Sequence, residues 1–288
     1  MAYRLTFRDT IRKNHMLLRI SLLTIEVIFC LFLFAQTLVS DTVDAPPPDD
    51  NTTIPSVTTS GSSISTTTAP TADTTTESTL STTLDPGQYQ GAKLVALTFD
   101  DGPHAKLTPE LLDILAREQV SATFFLLGTN IERYPDLVRR QAAEGHQVAS
   151  HTFAHKKLTS LSPENLSEEI HSTEVLLTDI LGYGPSLMRP PYGAFNDKVK
   201  AEAAMPLIMW SVDPEDWKDP PVDTLCDRLY DRIRDGDIVL LHDIHKNSIA
   251  ATEQLIPRLK ADGYLFVTVD QLISLRGTEP QEVYFSLR

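Results

Sequence analysis

Two adjacent aspartates end an apolar run. The stretch VALTFDDGPH, residues 95–104, delivers Asp100 and Asp101 together, with Gly102 and Pro103 following at once. Like charges so close repel unless something positive separates their roles, and a metal ion would do so. Its other ligands should be histidine or carboxylate side chains, and HTFAH supplies His151 and His155 after another apolar run. That spacing would set both imidazoles on one face of a helical turn, within reach of one ion. Two histidines and one aspartate leave positions open for water and substrate, as catalytic sites do. By itself the spacing is weak, because a helix start with exposed imidazoles has it too. The second aspartate then becomes a base, able to take a proton from water that a metal has made more acidic.

Three further stretches could serve that chemistry. RPPYG offers Arg189, which could hold the base ionised by pulling its pKa down. Alone, Arg189 reads as a surface cation and its two prolines as a rigid turn. VLLHD sets His242 at the end of a buried run, where a general acid could reach a pocket. Alone, it reads as a core histidine bonded to backbone. DPEDW, residues 213–217, adds carboxylates that could keep an imidazolium charged. Alone, it reads as a solvated acidic loop with one anchoring Trp.

The elements that must carry these groups are short apolar runs at 94–99, 122–127, 147–151, 186–189, 207–212, 238–242 and 266–269. Runs this continuous read as strands covered on both faces. Helical patterns lie between them. Thr108 and Pro109 suit an N-cap and first helical position, and Ser162 with Pro163 repeats the signal. Leu166, Ile170, Leu177, Ile180 and Leu181 then keep helical spacing until Gly182. Alternating strands and helices imply an α/β fold with a parallel sheet, open or closed into a barrel. Active sites of such folds gather beyond the carboxyl ends of the strands. Asp100, Asp101, His151, Arg189, Asp213 and His242 all fall at the end of a run.

The formal net charge of −14, from 39 acidic and 25 basic residues among 288, excludes a nucleic-acid groove. Two cysteines are too few for a disulfide framework. Residues 1–40 combine a basic start with an apolar run from 20 to 39, close to the roughly 20 residues that span a bilayer as a helix. The basic flank would remain in the cytoplasm and send the rest of the chain outside. A membrane anchor is favoured over a cleaved signal peptide because the run is long and its cleavage sites weak. Residues 41–90 are rich in Thr, Ser and Pro and cannot bury enough surface to order themselves, which makes them a disordered stalk.

Taken in order, TFDDGP, HTFAH, RPPYG, DPEDW and LLH resemble the five motifs of the polysaccharide deacetylase family, carbohydrate esterase family 4, also called the NodB-homology domain. The resemblance spans nearly all of residues 91–276 and leaves 277–288 as a C-terminal tail. It implies a distorted (β/α) barrel of about seven parallel strands. Asp100 corresponds to the catalytic base, and Asp101, His151 and His155 to the ligands of one divalent metal ion. Zinc is the usual ion, with cobalt, nickel or manganese as alternatives. Arg189 corresponds to the residue bracing the base, the Tyr192 N–H to an oxyanion donor, and His242 to the general acid tuned by Asp216. Trp217 and Leu240 would wall the substrate pocket around the acetyl methyl. Ser150 stands where many members carry Asn. The implied activity is hydrolysis of N-acetyl groups on an extracellular polysaccharide, with peptidoglycan preferred to chitin-type oligomers or acetylated xylan. The implied partners are the glycan and, through residues 1–40, the membrane, with no protein partner. A glycan-binding module that has lost activity would keep the same motifs, and a mononuclear iron oxygenase also uses two histidines and one carboxylate. A dedicated base and acid, Asp100 and His242, argue for hydrolysis over both.

Overall fold

The computed structural model describes Tyr89 and residues 91–288. The expected anchor or signal segment and, apart from Tyr89, the stalk lie outside the described residues. Among the described residues no helix is long and apolar enough to cross a membrane.

The elements alternate as the sequence pattern implies. Strand β1 (Lys93–Asp100) is followed by helix α1 (Leu107–Arg117), β2 (Thr123–Leu126), α2 (Gly128–Arg133), α3 (Pro135–Ala143) and β3 (Gln147–Ser150). Then come α4 (Pro163–Leu181), α5 (Asp197–Ala203), β4 (Leu207–Ile208), α6 (Val222–Arg232) and β5 (Asp237–His242). The chain ends with α7 (Lys246–Ala261), β6 (Tyr264–Phe266), α8 (Val269–Arg276) and β7 (Val283–Tyr284). β1 is the central strand. It pairs in parallel with β2, β5 and, at its start, β6, while β2 pairs with β3.

The fourth and fifth runs depart from the expectation of full strands. Residues 186–189 contribute only a bridge at Met188, which touches Ser150 on one side and Leu207 on the other. Residues 207–212 shorten to β4 and a bridge from Val212 to Val239. The ladders of the main sheet therefore stop at β3 and β5, and only single bridges at Met188 and Val212 join the intervening segment to them. Pro190, Pro191 and Pro206 interrupt this arc, and proline has no N–H to give a ladder. The segment 277–288, expected as a tail, supplies β7, which pairs in parallel with β4. Its Tyr284 and Leu287 are buried.

Alternation along β1 decides which side chains face the site. Val95, Leu97 and Phe99 join a core with Leu111, Leu115, Leu229 and Leu255 of the covering helices. Leu94 and Ala96 join a second core with Phe125, Ala149, Ile208 and Ile238. Thr98 and Asp100 continue that second series, so the interior column turns polar at Thr98 and ends on the Asp100 carboxylate. Ser162 caps α4 by accepting the Asn165 N–H, and Gly182, at φ +82, ends it. Thr108 does not cap α1 as expected, because it lies inside that helix. The N–H groups of Lys106 and Leu107 are instead taken by His104 Nδ1, at 3.3 and 3.1 Å.

Candidate active site

The register of β1 against β5 places Asp100 opposite His242 as the last pair of the ladder. Asp101 comes next with φ +71, a left-handed turn that sends it off the strand line. The turn is held by its carbonyls. Asn130 Nδ2 donates to Asp101 O at 2.8 Å, and the Leu127 N–H donates to Gly102 O at 3.0 Å.

HTFAH does not form the expected helical turn. Thr152 and His155 have φ of +70 and +56, so the chain loops back instead of coiling. Contacts from distant parts of the chain impose this shape. The N–H groups of Gly128 and Thr129 donate to the carbonyls of Thr152 and Phe153, each at 3.0 Å. Gly128 must lack a side chain, because a Cβ there would collide with the Phe153 ring. Ser150 Oγ accepts the Thr152 N–H at 3.2 Å. From α4, the buried Glu169 carboxylate accepts from the Ala154 N–H at 2.5 Å and Thr152 Oγ1 at 3.2 Å, and pairs with Lys156 at 3.1 Å.

The loop brings both imidazoles to Asp101. Nε2 of His151 lies 3.5 Å, and Nε2 of His155 3.6 Å, from Asp101 Oδ1. One ligand atom from each of the three residues falls within 4.8 Å of the others, a grouping that can hold a metal ion. Two details show that the site fits a cation. Asp101 Oδ1 is buried with no hydrogen-bond partner. His151 Nδ1 sits 2.8 Å from the Arg189 carbonyl, which can only accept, so Nδ1 carries the proton and Nε2 presents its lone pair. Burial also pushes the His151 pKa down to about 3, against the pull of Asp101, so the ring is neutral as a ligand must be.

Asp100 points elsewhere. Its Oδ1 accepts Arg189 Nη1 at 2.7 Å, both side chains being buried. Arg189 also donates to Thr98 Oγ1 at 2.7 Å and to the carbonyls of Ile208 and Met209 at 3.0 Å, with its guanidinium over the Phe125 ring. It is therefore no surface cation. Its expected effect on the base is only half the balance. Burial pushes the Asp100 carboxyl above its ordinary range, and Arg189 and then His242 pull it back only in part. A base raised toward working pH is a stronger proton acceptor than one held low.

His242 Nδ1 meets Asp216 Oδ1 at 2.8 Å. Asp216 Oδ2 accepts the His242 N–H at 2.8 Å and Ser248 Oγ at 2.6 Å, which fixes the carboxylate. Burial alone would push the imidazole down. The Asp216 bond and charge, with Asp100 and Asp101 nearby, carry it up to about 9 instead. Tyr192 sits at φ +60, and its exposed ring meets the His155 ring edge-on at 4.6 Å. Leu240 is buried opposite Thr98, two positions before the Asp100–His242 pair on the same face. Trp217, 53% exposed, comes after Asp216 with the Lys218 ammonium over its ring.

Glu169, Ser248 and Asp243 belong to none of the five motif assignments. Glu169 left a signal, since it lies on the buried stripe of α4 between Leu166 and Ile170, where an acid needs partners. Glu169→Ala should strip the Ala154 N–H and the Thr152 hydroxyl of their acceptor. We expect a loss of about 1–3 kcal/mol in a denaturant titration and roughly tenfold weaker metal binding by calorimetry. Asp243, directly after His242, is fully buried, and burial pushes its carboxyl up to about 7 against its bond with Thr108.

A parallel α/β sheet with a grouping able to hold a cation, a separate carboxylate and an imidazole at its carboxyl rim has the equipment of a metal-dependent hydrolase. Comparison with known proteins narrows that class. Residues 87–207 match the family described as polysaccharide deacetylase. The peptidoglycan-N-acetylglucosamine deacetylase PgdA of Listeria monocytogenes is 46% identical over 180 residues, 62% of this chain. The chain spans only 39% of that relative's length. The solved peptidoglycan deacetylase PdaC of Bacillus subtilis superposes with a TM-score of 0.64 at 40% identity, covering 67% of this chain and 94% of that one. A family 4 acetyl xylan esterase of Clostridium thermocellum, solved with a cobalt ion, gives a TM-score of 0.64 at 30% identity, covering 67% and 98%. The chain belongs to the polysaccharide deacetylase family.

Proposed function

We propose that this chain hydrolyses N-acetyl groups from peptidoglycan N-acetylglucosamine on the outer side of the membrane. The observation that carries the reading is the orphaned Asp101 Oδ1, facing Nε2 of two histidines and one residue from a buried, Arg-held carboxylate. The named substrates of PgdA and PdaC favour peptidoglycan. The anchor expected in residues 1–40 would hold the domain at the wall.

Asp101, His151 and His155 would hold the cation, which we assign as zinc, with cobalt, nickel or manganese able to use the same donors. Once bound, the ion supplies a Lewis acid that makes water more acidic and draws charge from a carbonyl. Asp100, oriented by Arg189, takes the proton of the attacking water. The Tyr192 N–H, on a left-handed turn beside His155, donates to the oxygen that gains negative charge. His242, kept protonated by Asp216, gives its proton to the departing amine. Trp217 and Leu240, flanking Asp216 and His242 in sequence, would wall the acetyl methyl.

A second reading, O-deacetylation of xylan, is favoured by the esterase among the solved relatives. Acetate release from peptidoglycan, N-acetylated chitooligosaccharide and acetylxylan, with and without chelator, separates the readings. Release from peptidoglycan that the chelator abolishes is expected. Release from acetylxylan alone would sink the N-deacetylase assignment.

The pH profile is governed by His242. A raised imidazole pKa keeps the acid charged to higher pH, so activity should fall as pH rises through about 9. A dication beside Asp101 offsets that carboxylate's upward pull and sets this as the upper bound. Asp216→Asn removes the main upward influence and should move the alkaline limb to lower pH. An unmoved limb in a kcat–pH series would exclude His242 as the acid.

A further inference from the structure

Asp243 is a buried carboxylate that the proposed chemistry does not use. The last registered pair of β1 and β5 is Asp100 with His242, so Asp101 and Asp243 are the next residues along the two strands. Asp243 is fully buried, and its Oδ1 has no hydrogen-bond partner. Its Oδ2 accepts the Thr108 hydroxyl, whose oxygen in turn accepts the His104 N–H at 2.7 Å. The carboxylate also lies hard against the backbone of Gly102, since a Cβ on that residue would overlap both oxygens and Cγ.

These contacts tie together both ends of the segment that carries the metal ligand. Gly102 is bonded on one side through its carbonyl to Leu127 and packed on the other against Asp243. Thr108, in the first turn of α1, closes the far end on the same carboxylate. Asp101 itself has a left-handed φ, a conformation that surrounding contacts must impose on a non-glycine residue. We infer that Asp243 is a positioning residue: it braces the Asp101–Gly102 turn from beneath and thereby sets where Asp101 Oδ1 stands relative to His151 and His155. The inference rests on those three residues holding the cation. It requires shape and one acceptor oxygen, not a reacting group.

The test is zinc titration by calorimetry of the metal-stripped full chain, with the fold monitored by circular dichroism. Asp243→Ala empties the space under Gly102 and frees Thr108, and should weaken zinc binding about 10- to 100-fold. Asp243→Asn keeps the volume and an acceptor for Thr108, and should recover most of that loss. Should Asp243→Ala fail to fold, Thr108→Val removes only the hydroxyl and should weaken zinc in the same direction. A folded Asp243→Ala, or Thr108→Val in its place, with wild-type zinc affinity overturns the inference. So does an Asp243→Asn as weak as Asp243→Ala, which would make charge and not position the operative property. A wild-type chain that binds no zinc removes the assigned cation site and this inference with it. Tight wild-type binding with unaltered variants removes the inference alone.

Discussion

Asp100→Asn should lower acetate release by about 10²- to 10⁴-fold while zinc stays bound. The amide has the size of the carboxylate and can still accept from Arg189 Nη1, now 2.7 Å away. It cannot take a proton from water. The change leaves untouched the grouping proposed to hold the cation, Asp101, His151 and His155. Calorimetry should therefore show zinc affinity close to wild type beside a near-dead acetate assay. The same change leaves the Arg189 charge buried without its partner, so the variant should also melt earlier, and the assay belongs well below that temperature. Wild-type acetate release from a folded Asp100→Asn would mean that another group is the base.

Arg189→Met should be the most destabilising single change at the site, costing about 3–5 kcal/mol. Arg189 is buried and answers four acceptors: Asp100, Thr98 and the carbonyls of Ile208 and Met209. Methionine fills part of the volume and donates to none of them. The buried Asp100 then meets its desolvation cost without a counter-charge and shifts further toward its protonated form. Thermal melting should fall by roughly 10 °C for a domain of this size. Activity should fall too, because a protonated Asp100 is no base. A loss of activity without loss of stability would contradict the bracing role, since these bonds serve both.

Much of the site is readable without coordinates, for local reasons. A strand that alternates between two apolar cores must end with a definite parity, and Thr98 and Asp100 fall on the inner face by counting twos from Leu94. A charged residue at the end of such a run has only the carboxyl rim of the sheet to occupy. His242 is placed by the same reasoning on β5. His146, just before β3, is buried and accepts the Ala122 N–H through Nδ1 at 3.2 Å.

Other features depend on contacts far apart in the chain. The shape of HTFAH is set by Gly128, Thr129 and Glu169, so helical spacing misleads there. The direction of the Asp100 pKa depends on how completely the carboxyl is buried, which the presence of Arg189 in the sequence does not reveal. β7 is two residues long and carries too little pattern to stand out, yet β4 needs its partner.

Residue types, the parity of β1 and both ends of α4 were determined by the sequence alone, because each comes from periods of two or 3.6 residues and from capping groups a few positions away. Tertiary structure alone decided that Asp101, His151 and His155 face one another, that Asp100 is raised and His242 charged, and that Asp243 and Glu169 stand behind them. Those outcomes come from burial and from bonds between elements tens of residues apart, and a local pattern carries no record of either.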